Sequence, residues 1–265
     1  MNIIVPVKQV PESSKVKMDP ETGTVIRTGV ETVVNPLDLY AIETALHLKE
    51  QYGGKVTAIT MGPPQAEKVL KEAEAMGCDD AILVSDKQFG GSDTFATSYI
   101  LSEAIKKIGN ADLIITGERA TDGDTAQVGP GIAAHLDLPV ASYVSKISDL
   151  KNKRLHLERL TEEGYEKLSV PLPCLITVIK EIGIPRLPTL KGKIRSRELA
   201  IPVYNTENLE LKSENLGLTG SPTRVVKIES PRVTRGGKVL SAADEESLKT
   251  AVDSFFNLLE ERGIL

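Results

Sequence analysis

Short apolar runs alternate with longer amphipathic stretches through the first 140 residues of the chain. The apolar runs predict buried β-strands at 3–7, 55–61, 81–84 and 112–116. Apolar positions spaced three and four residues apart predict helices at 36–52, 65–76 and 94–108. Strands and helices that alternate in this way predict an α/β fold. We expect an open, mostly parallel sheet with helices on both faces, in a Rossmann-like arrangement.

The residues beyond 139 follow a different pattern. Two strand-like runs at 154–160 and 165–170, separated by a turn, predict an antiparallel hairpin. Residues 175–179 predict another central strand. Residues 182–193 contain two prolines and two glycines, and they predict a loop.

The C-terminal part of the sequence divides into an extended arm and a helix. Residues 200–240 show no helical periodicity and predict the arm. A capping signal at Ser241 and Asp244 marks the start of a terminal helix. The apolar stripe of this helix consists of Leu248, Val252, Phe255 and Leu259. We therefore expect an α/β domain over 1–199 and an arm with its helix over 200–265, which clasps a partner chain or packs back on its own domain.

Composition narrows the class of protein. The 265 residues are 40% hydrophobic and 26% charged, which is typical of a folded globular chain. A net charge of -5 and an aromatic content of 4% argue against nucleic-acid binding. Two distant cysteines cannot form a disulfide framework, and no apolar run reaches the length of a membrane span. The N-terminus does not resemble a signal peptide, so we expect a soluble, cytoplasmic protein.

The loop after the fourth predicted strand is the most informative segment. It runs from Gly117 to Gly131 and is rich in glycine. Open α/β sheets bind ligands at the carboxyl ends of their strands, and glycines allow backbone amides to approach a phosphate closely. A helix that begins near Gln127 would add the positive end of its dipole, and Thr121 and Thr125 offer hydroxyl groups. The loop therefore predicts a nucleotide-binding site.

No catalytic constellation accompanies this loop. Asp122 and Asp124 could act as acid–base or metal-binding groups, although the turn-forming role of such residues is favoured. Asn35 precedes Pro36 at the start of the first predicted helix, which favours helix capping over a hydrogen bond to a ribose or a base. The three histidines are scattered, and no nucleophile motif is present.

Basic residues concentrate at 180–200 and at 224–238 of this acidic chain. Such segments suit an acidic protein partner or a pyrophosphate, or form a solvated face. The residue pattern by itself does not favour one of these roles.

The order and spacing of several segments resemble the electron transfer flavoprotein beta subunit. The segments are 5–11, 35–38, 61–64, 75–79 and 117–129, followed by 184–190. The resemblance covers essentially the whole chain. It implies a heterodimer with an alpha subunit that carries a mobile FAD-binding domain and is embraced by the C-terminal arm. It also implies that residues 182–193, called the docking loop below, bind an acyl-CoA dehydrogenase-type flavoenzyme through Leu190.

The resemblance further implies a nucleotide pocket in this chain. Its residues would be Pro6, Asn35, Pro36, Leu37, Asp38, Met61, Gly117, Arg119, Ala120, Thr121, Asp122, Gly123, Asp124, Thr125, Ala126, Gln127 and Val128. Ordinary members hold AMP there in a structural role. Electron-bifurcating members hold a second FAD, which takes a hydride from NADH and passes electrons both to ferredoxin or flavodoxin and to the FAD of the alpha subunit.

The pocket residues resemble the bifurcating form. Small side chains at Ala126 and Val128 would leave room for the remainder of FAD, and the segment 221–223 is also similar to that form. The protein would position the flavin, which performs the redox chemistry, without a catalytic side chain.

Three alternative functions remain: an ordinary electron carrier with AMP, a stand-alone nucleotide-binding hydrolase or stress-type module, and an interaction subunit with an empty pocket.

Overall fold

The computed structural model describes residues 1–12, 31–226 and 239–264. The chain divides into two units, Met1–Val226 and Lys227–Leu265. The strands of the described residues are Asn2–Pro6 (β1), Gln9–Pro11 (β2), Thr32–Val34 (β3), Lys55–Met61 (β4), Asp80–Val84 (β5), Leu113–Gly117 (β6), Val140–Lys151 (β7), Arg154–Thr161 (β8), Gly164–Pro171 (β9), Cys174–Val178 (β10) and Val203–Tyr204 (β11). The α-helices are Pro36–Tyr52 (α1), Glu67–Met76 (α2), Thr94–Ile108 (α3), Val128–His135 (α4), Leu190–Glu198 (α5) and Glu245–Glu261 (α6).

Nine strands form one sheet in the order β11-β5-β4-β1-β6-β10-β7-β8-β9. Every neighbouring pair from β11 to β7 is parallel. The last three strands, β7 to β9, pair antiparallel and include the predicted hairpin. Strands β2 and β3 form a separate antiparallel pair. The predicted α/β class with a mostly parallel sheet is confirmed.

Helices cover both faces of the sheet. In β1, Ile3 and Val5 belong to the core cluster that contains α1 and α2, whereas Ile4 belongs to the cluster that contains α3 and α4. Successive residues of a strand point to opposite faces, so one short strand contributes to both cores. Strands buried on both faces explain the continuous apolar runs in the sequence.

Several element boundaries follow directly from local signals. The bounds of α1, β4 and α3 coincide with the predicted ones. Gly53 ends α1 and Gly109 ends α3, both with positive φ. The second predicted helix differs at its start, because Pro64–Ala66 form a 3₁₀ turn before α2.

The docking loop differs from its predicted irregular structure. Its last residues, from Leu190 onward, form the first turn of α5, and the Thr189 side chain caps this helix by accepting a hydrogen bond from the Gly192 amide. Because α5 is polar on most of its surface, the sequence carries little helical periodicity there. Helix α5 is instead stabilised by its packing against α2, which the sequence pattern does not reveal.

Residues 201–226 belong to the first unit. Strand β11 pairs with β5, and Leu209 and Leu216 are buried in the core cluster of α3 and α4. This part of the predicted arm therefore packs on its own domain, and the division between units falls at Val226, later than the predicted boundary at 199. The remaining arm residues 227–238 lie outside the described residues.

Helix α6 is capped one turn later than a cap at Ser241 would place it. Asp244 is the N-cap, and its side chain and that of Ser247 form a reciprocal capping box. Within the described part of the chain, no helix is long and apolar enough to cross a bilayer.

Candidate functional site at the switch point of the sheet

The strand order reverses direction between β1 and β6. From β1 the chain moves outward to β4 and β5, and it then returns to the other side of β1 as β6. In open α/β sheets this reversal leaves a crevice outside the carboxyl ends of the two central strands, where ligands bind. Residues 118–127, called the crevice loop below, connect β6 to α4 at this position. The segment 117–131 that the sequence indicated therefore lies at the switch point, although Gly117 belongs to β6 and Gly129 and Gly131 belong to α4.

The Asn35 side chain ties the crevice loop to the start of α1. Its Nδ2 donates to Asp38 Oδ1 at 2.9 Å and to the Arg119 carbonyl at 2.9 Å, and its Oδ1 accepts from the Thr121 amide at 3.1 Å. Asn35 is fully buried. Although it occupies the N-cap position of α1, its side chain makes no capping bond. The favoured capping role is therefore wrong, because the side chain holds the loop instead.

Asp38 extends the same network to β1. Its Oδ2 accepts from the Lys8 amide at 2.7 Å, and its Oδ1 accepts from Asn35. Burial raises the pKa of Asp38 to about 7, although the hydrogen bonds from Asn35 and from the backbone of Lys8 and Gly117 act to lower it. Gly117 has to be a glycine at this place, since a Cβ there would collide with Asp38 and with the backbone of Leu37. The ends of β1 and β6 and the start of α1 are thus held in one unit.

Within the described ranges, the crevice loop takes part in three ion pairs: Arg119 Nε lies 3.4 Å from Glu118 Oε1, and two further pairs lie on the exposed side of the loop. Lys8 Nζ lies 2.7 Å from Asp122 Oδ1, and Arg119 Nε lies 3.1 Å from Asp124 Oδ1. All four side chains are at least one-third exposed, so each pair contributes little to stability. Both cations can therefore turn to an anionic ligand at small cost. Asp122 lies in a turn of the loop, as the sequence favoured, and both aspartates also pair with cations.

The N-terminus of α4 faces the end of the crevice loop. Gln127 is its N-cap residue and makes no side-chain capping bond, because its Oε1 accepts from the Thr94 hydroxyl at 2.8 Å. Among the described residues, no group pairs with the buried hydroxyl of Thr116. A Cβ at Gly129 would lie 2.7 Å from that hydroxyl, so the first turn of α4 sits directly on β6. Uncapped amides at such a terminus attract anions.

The crevice loop carries backbone strain. Asp124 and Ala126 both adopt positive φ, at 53° and 55°. For residues with a Cβ this conformation is uncommon, and such residues concentrate at functional sites. Ala126 is half-buried, whereas residues 121–125 are exposed. The loop is therefore held in one conformation and yet presents its surface to solvent.

The structure brings most of the predicted pocket residues together. Pro6 and Met61 end the neighbouring strands β1 and β4, and residues 35–38 contact the crevice loop. Leu190 lies elsewhere, at the start of α5. The prediction did not name Lys8 and Thr94, which contact the crevice loop and the start of α4, or Thr116, which lies beneath the first turn of α4. The position of Lys8 immediately after a buried strand was a usable signal, whereas the other two depend on which helix packs on which strand.

The docking loop exposes large apolar side chains. Ile184 is 91% exposed, Leu187 is 85% exposed and Leu190 is 78% exposed. Arg186 lies between them and bonds to glutamates of α1. The basic segment at 180–200 is therefore partly engaged with the chain itself, and most of the second basic segment lies outside the described residues.

A mostly parallel α/β sheet with a long loop at its switch point defines a protein of the doubly wound α/β class. A model of the electron transfer flavoprotein domain matches residues 22–204. The chain belongs to the electron transfer flavoprotein family and is similar to its beta subunits.

Three relatives illustrate this similarity. The chain is 43% identical over 266 residues to the electron transfer flavoprotein subunit beta of Thermoanaerobacterium thermosaccharolyticum, with 100% of both chains covered. It is also 43% identical over 266 residues to the caffeyl-CoA reductase-Etf complex subunit CarD of Acetobacterium woodii, again with 100% of both covered. Protein FixA of Azotobacter vinelandii is 45% identical over 238 residues, which cover 88% of this chain and 85% of the relative.

Proposed function

We propose that this chain is the beta subunit of a heterodimeric, electron-bifurcating flavoprotein. In this proposal it pairs with an alpha subunit and holds FAD at the crevice loop. Electrons from NADH pass to ferredoxin or flavodoxin and, through the alpha subunit, to an acyl-CoA dehydrogenase-type flavoenzyme. The observation that carries the nucleotide site is the crevice loop, which lies at the switch point and ends at the uncapped N-terminus of α4.

The residues of the crevice fit the phosphate-bearing half of a nucleotide. The first amides of α4 supply donors that no side chain caps, and Lys8 and Arg119 supply positive charge. The family resemblance implied that Asn35 and Asp38 contact the nucleotide directly, and here we propose a different role for them. Their side-chain atoms already bond to the protein, so they position the loop rather than touch the ligand.

Small side chains favour FAD over AMP in this crevice. Ala126 and Val128 follow the exposed part of the loop, and the first of them is held at positive φ. The relative named as a subunit of a caffeyl-CoA reductase-Etf complex supports a role beside an acyl-CoA-type reductase. When bound, FAD would supply hydride acceptance and one-electron transfer, and the crevice loop with the N-terminus of α4 would hold its phosphates. AMP in a structural role remains the alternative occupant.

A nucleotide count distinguishes the two occupants. The chain is co-expressed with its alpha subunit, the purified complex is denatured, and the released FAD and AMP are quantified by chromatography. Two FAD per heterodimer and no AMP support the bifurcating role. One FAD and one AMP would reduce the assignment to an ordinary electron carrier and would show that the argument from Ala126 and Val128 is wrong.

The docking loop provides the surface for the flavoenzyme partner in this proposal. Several large apolar side chains exposed together on one loop mark a surface that binds another protein. We expect Leu190→Ala to raise the KM for an acyl-CoA dehydrogenase while the nucleotide content stays unchanged. The matched control is Leu160→Ala, a partly exposed leucine on the hairpin. Equal KM values for the two variants would remove Leu190 from the docking surface.

Helix α6 fits a clasping role for the C-terminal unit. Its side chains Leu248, Val252 and Phe255 are 43–56% exposed and share one face of the helix. An amphipathic helix of this kind buries its apolar face against a groove of another chain. In the proposed heterodimer the alpha subunit provides this groove.

A further inference from the structure

Arg186 joins the docking loop to the side of α1. Its Nε lies 2.8 Å and its Nη2 2.9 Å from the two carboxylate oxygens of Glu43. The same guanidinium reaches Glu50, with Nη1 2.5 Å and Nη2 3.1 Å from its carboxylate oxygens. The Arg186 backbone amide also donates to Glu43 at 2.9 Å. One side chain therefore binds two carboxylates in a forked geometry that a lysine cannot reproduce.

The two glutamates are spaced for this contact. Glu43 and Glu50 are seven residues apart on α1, which is about two helical turns, so both lie on one face. Burial acts to raise the pKa of Glu43, but its bonds to Arg186 hold that pKa below the usual value. The bonds to Arg186 likewise lower the pKa of Glu50. Both carboxylates therefore stay ionised at neutral pH and keep the contact.

The docking loop is also fixed at its C-terminal end. The Thr189 amide donates to the Ala75 carbonyl at 3.3 Å, and Arg195 donates to the Glu74 carbonyl at 3.0 Å. Gly192 packs so closely on Ala75 that a Cβ would collide with its carbonyl. The loop is thus attached to α1 in its middle and to α2 at its end.

This attachment contrasts with the exposure of the side chains on either side of Arg186. Ile184 and Leu187 flank it and are 91% and 85% exposed. The residues that hold the loop are polar and face α1, whereas the apolar residues face solvent. A binding loop whose backbone is already ordered loses less conformational entropy when the partner binds, and its affinity rises accordingly.

We propose that Arg186 is a positioning residue, which holds the docking loop on Glu43 and Glu50 so that its apolar side chains are preordered for the flavoenzyme partner. The inference rests on the docking role proposed above. It does not require any direct contact between Arg186 and the partner.

The test compares Arg186→Lys with Leu190→Ala in the purified complex with the alpha subunit. Hydrogen–deuterium exchange of residues 183–189 reports the order of the loop without any partner. The KM and kcat for an acyl-CoA dehydrogenase report docking and electron transfer separately. Arg159→Lys is the matched control, since Arg159 pairs with Glu166 at 2.7 Å on the hairpin.

We expect Arg186→Lys to speed exchange in residues 183–189 and to raise the KM by roughly tenfold, with kcat unchanged. Arg159→Lys should change neither quantity. Glu43→Gln should repeat the effect of Arg186→Lys, because it removes the charge that the guanidinium binds.

Three results would overturn the inference. Unchanged exchange in both Arg186→Lys and Glu43→Gln would show that these contacts do not order the loop. Faster exchange with an unchanged KM, while Leu190→Ala raises the KM, would show that order in the loop does not matter for docking. An unchanged KM in both variants would instead show that the docking loop does not bind this flavoenzyme, and the positioning role would fail with the docking role.

Discussion

Removal of the Asn35 side chain should loosen the crevice loop. In Asn35→Ala, the hydrogen bonds to Asp38, to the Arg119 carbonyl and from the Thr121 amide are all lost. At about 1 kcal/mol for each bond, the free energy of unfolding should fall by about 3 kcal/mol. Two of the partner groups belong to a largely exposed loop, so water replaces the lost bonds once the loop moves, which keeps the cost from rising further.

The assay combines a global and a local measurement. Urea unfolding followed by circular dichroism gives the change in stability, and hydrogen–deuterium exchange gives the opening of residues 118–127. Ser102→Ala is the control, because Ser102 is equally buried but makes a single side-chain bond, to the Tyr99 carbonyl at 2.7 Å. We expect it to cost about 1 kcal/mol and to leave the crevice loop unchanged.

The reasoning about Asn35 would be refuted by a specific pair of results. If Asn35→Ala cost no more than Ser102→Ala, the three bonds would not hold the loop. If the cost were large but exchange in residues 118–127 were unchanged, Asn35 would stabilise α1 and not the site.

Two further predictions concern the same crevice. Burial raises the pKa of Asp38 to about 7, whereas an unfolded aspartate titrates near 3.9, so only the folded state keeps the proton between these values. The free energy of unfolding should therefore fall as the pH rises from about 4 to 7, and this group should contribute a slope of up to about 1.4 kcal/mol per pH unit. In Asp38→Asn that contribution should be absent when urea unfolding is measured across this pH range. Equal slopes in the two proteins would contradict this. Gly129→Ala places a Cβ 2.7 Å from Thr116 Oγ1 and 3.0 Å from Thr177 Cγ2, so it should push α4 off the sheet, at a cost of about 1–3 kcal/mol, and lower the nucleotide retained. The melting temperature of Gly129→Ala is compared with that of the control Gly123→Ala, in which the added Cβ would meet nothing within 4 Å. Equal melting temperatures of the two variants would argue against tight packing of α4.

Local signals were sufficient for some elements and insufficient for others. Helix α1 starts after Asn35 with Pro36 in its first turn and ends at Gly53, so its sequence specifies both ends. Strand β7 is the longest strand of the described residues, yet its pattern does not predict it. Register shifts interrupt its pairing with β8 in two places, so buried and exposed positions do not alternate along it.

The candidate site was likewise predicted from the sequence only in part. The sequence indicated the segment 117–131, because glycines and turn formers directly after a buried strand are typical of a ligand-binding loop. It assigned Asn35 to helix capping, because the residue type and its place before Pro36 favour a cap. The structure turns that side chain toward Arg119 and Thr121, which are 84 and 86 residues away in sequence.

The sequence by itself determined the elements of the α/β fold and the place of the crevice loop after β6. Periodicity, caps and glycines act within a few residues, so they can be read without knowledge of the fold. The tertiary structure alone decided which distant residues meet. Lys8 and Asp122 are 114 residues apart, and Arg186 and Glu43 are 143 apart. Lys8 and Asp122 meet because they follow β1 and β6, which are neighbours in the sheet. Arg186 and Glu43 meet because the docking loop passes along α1.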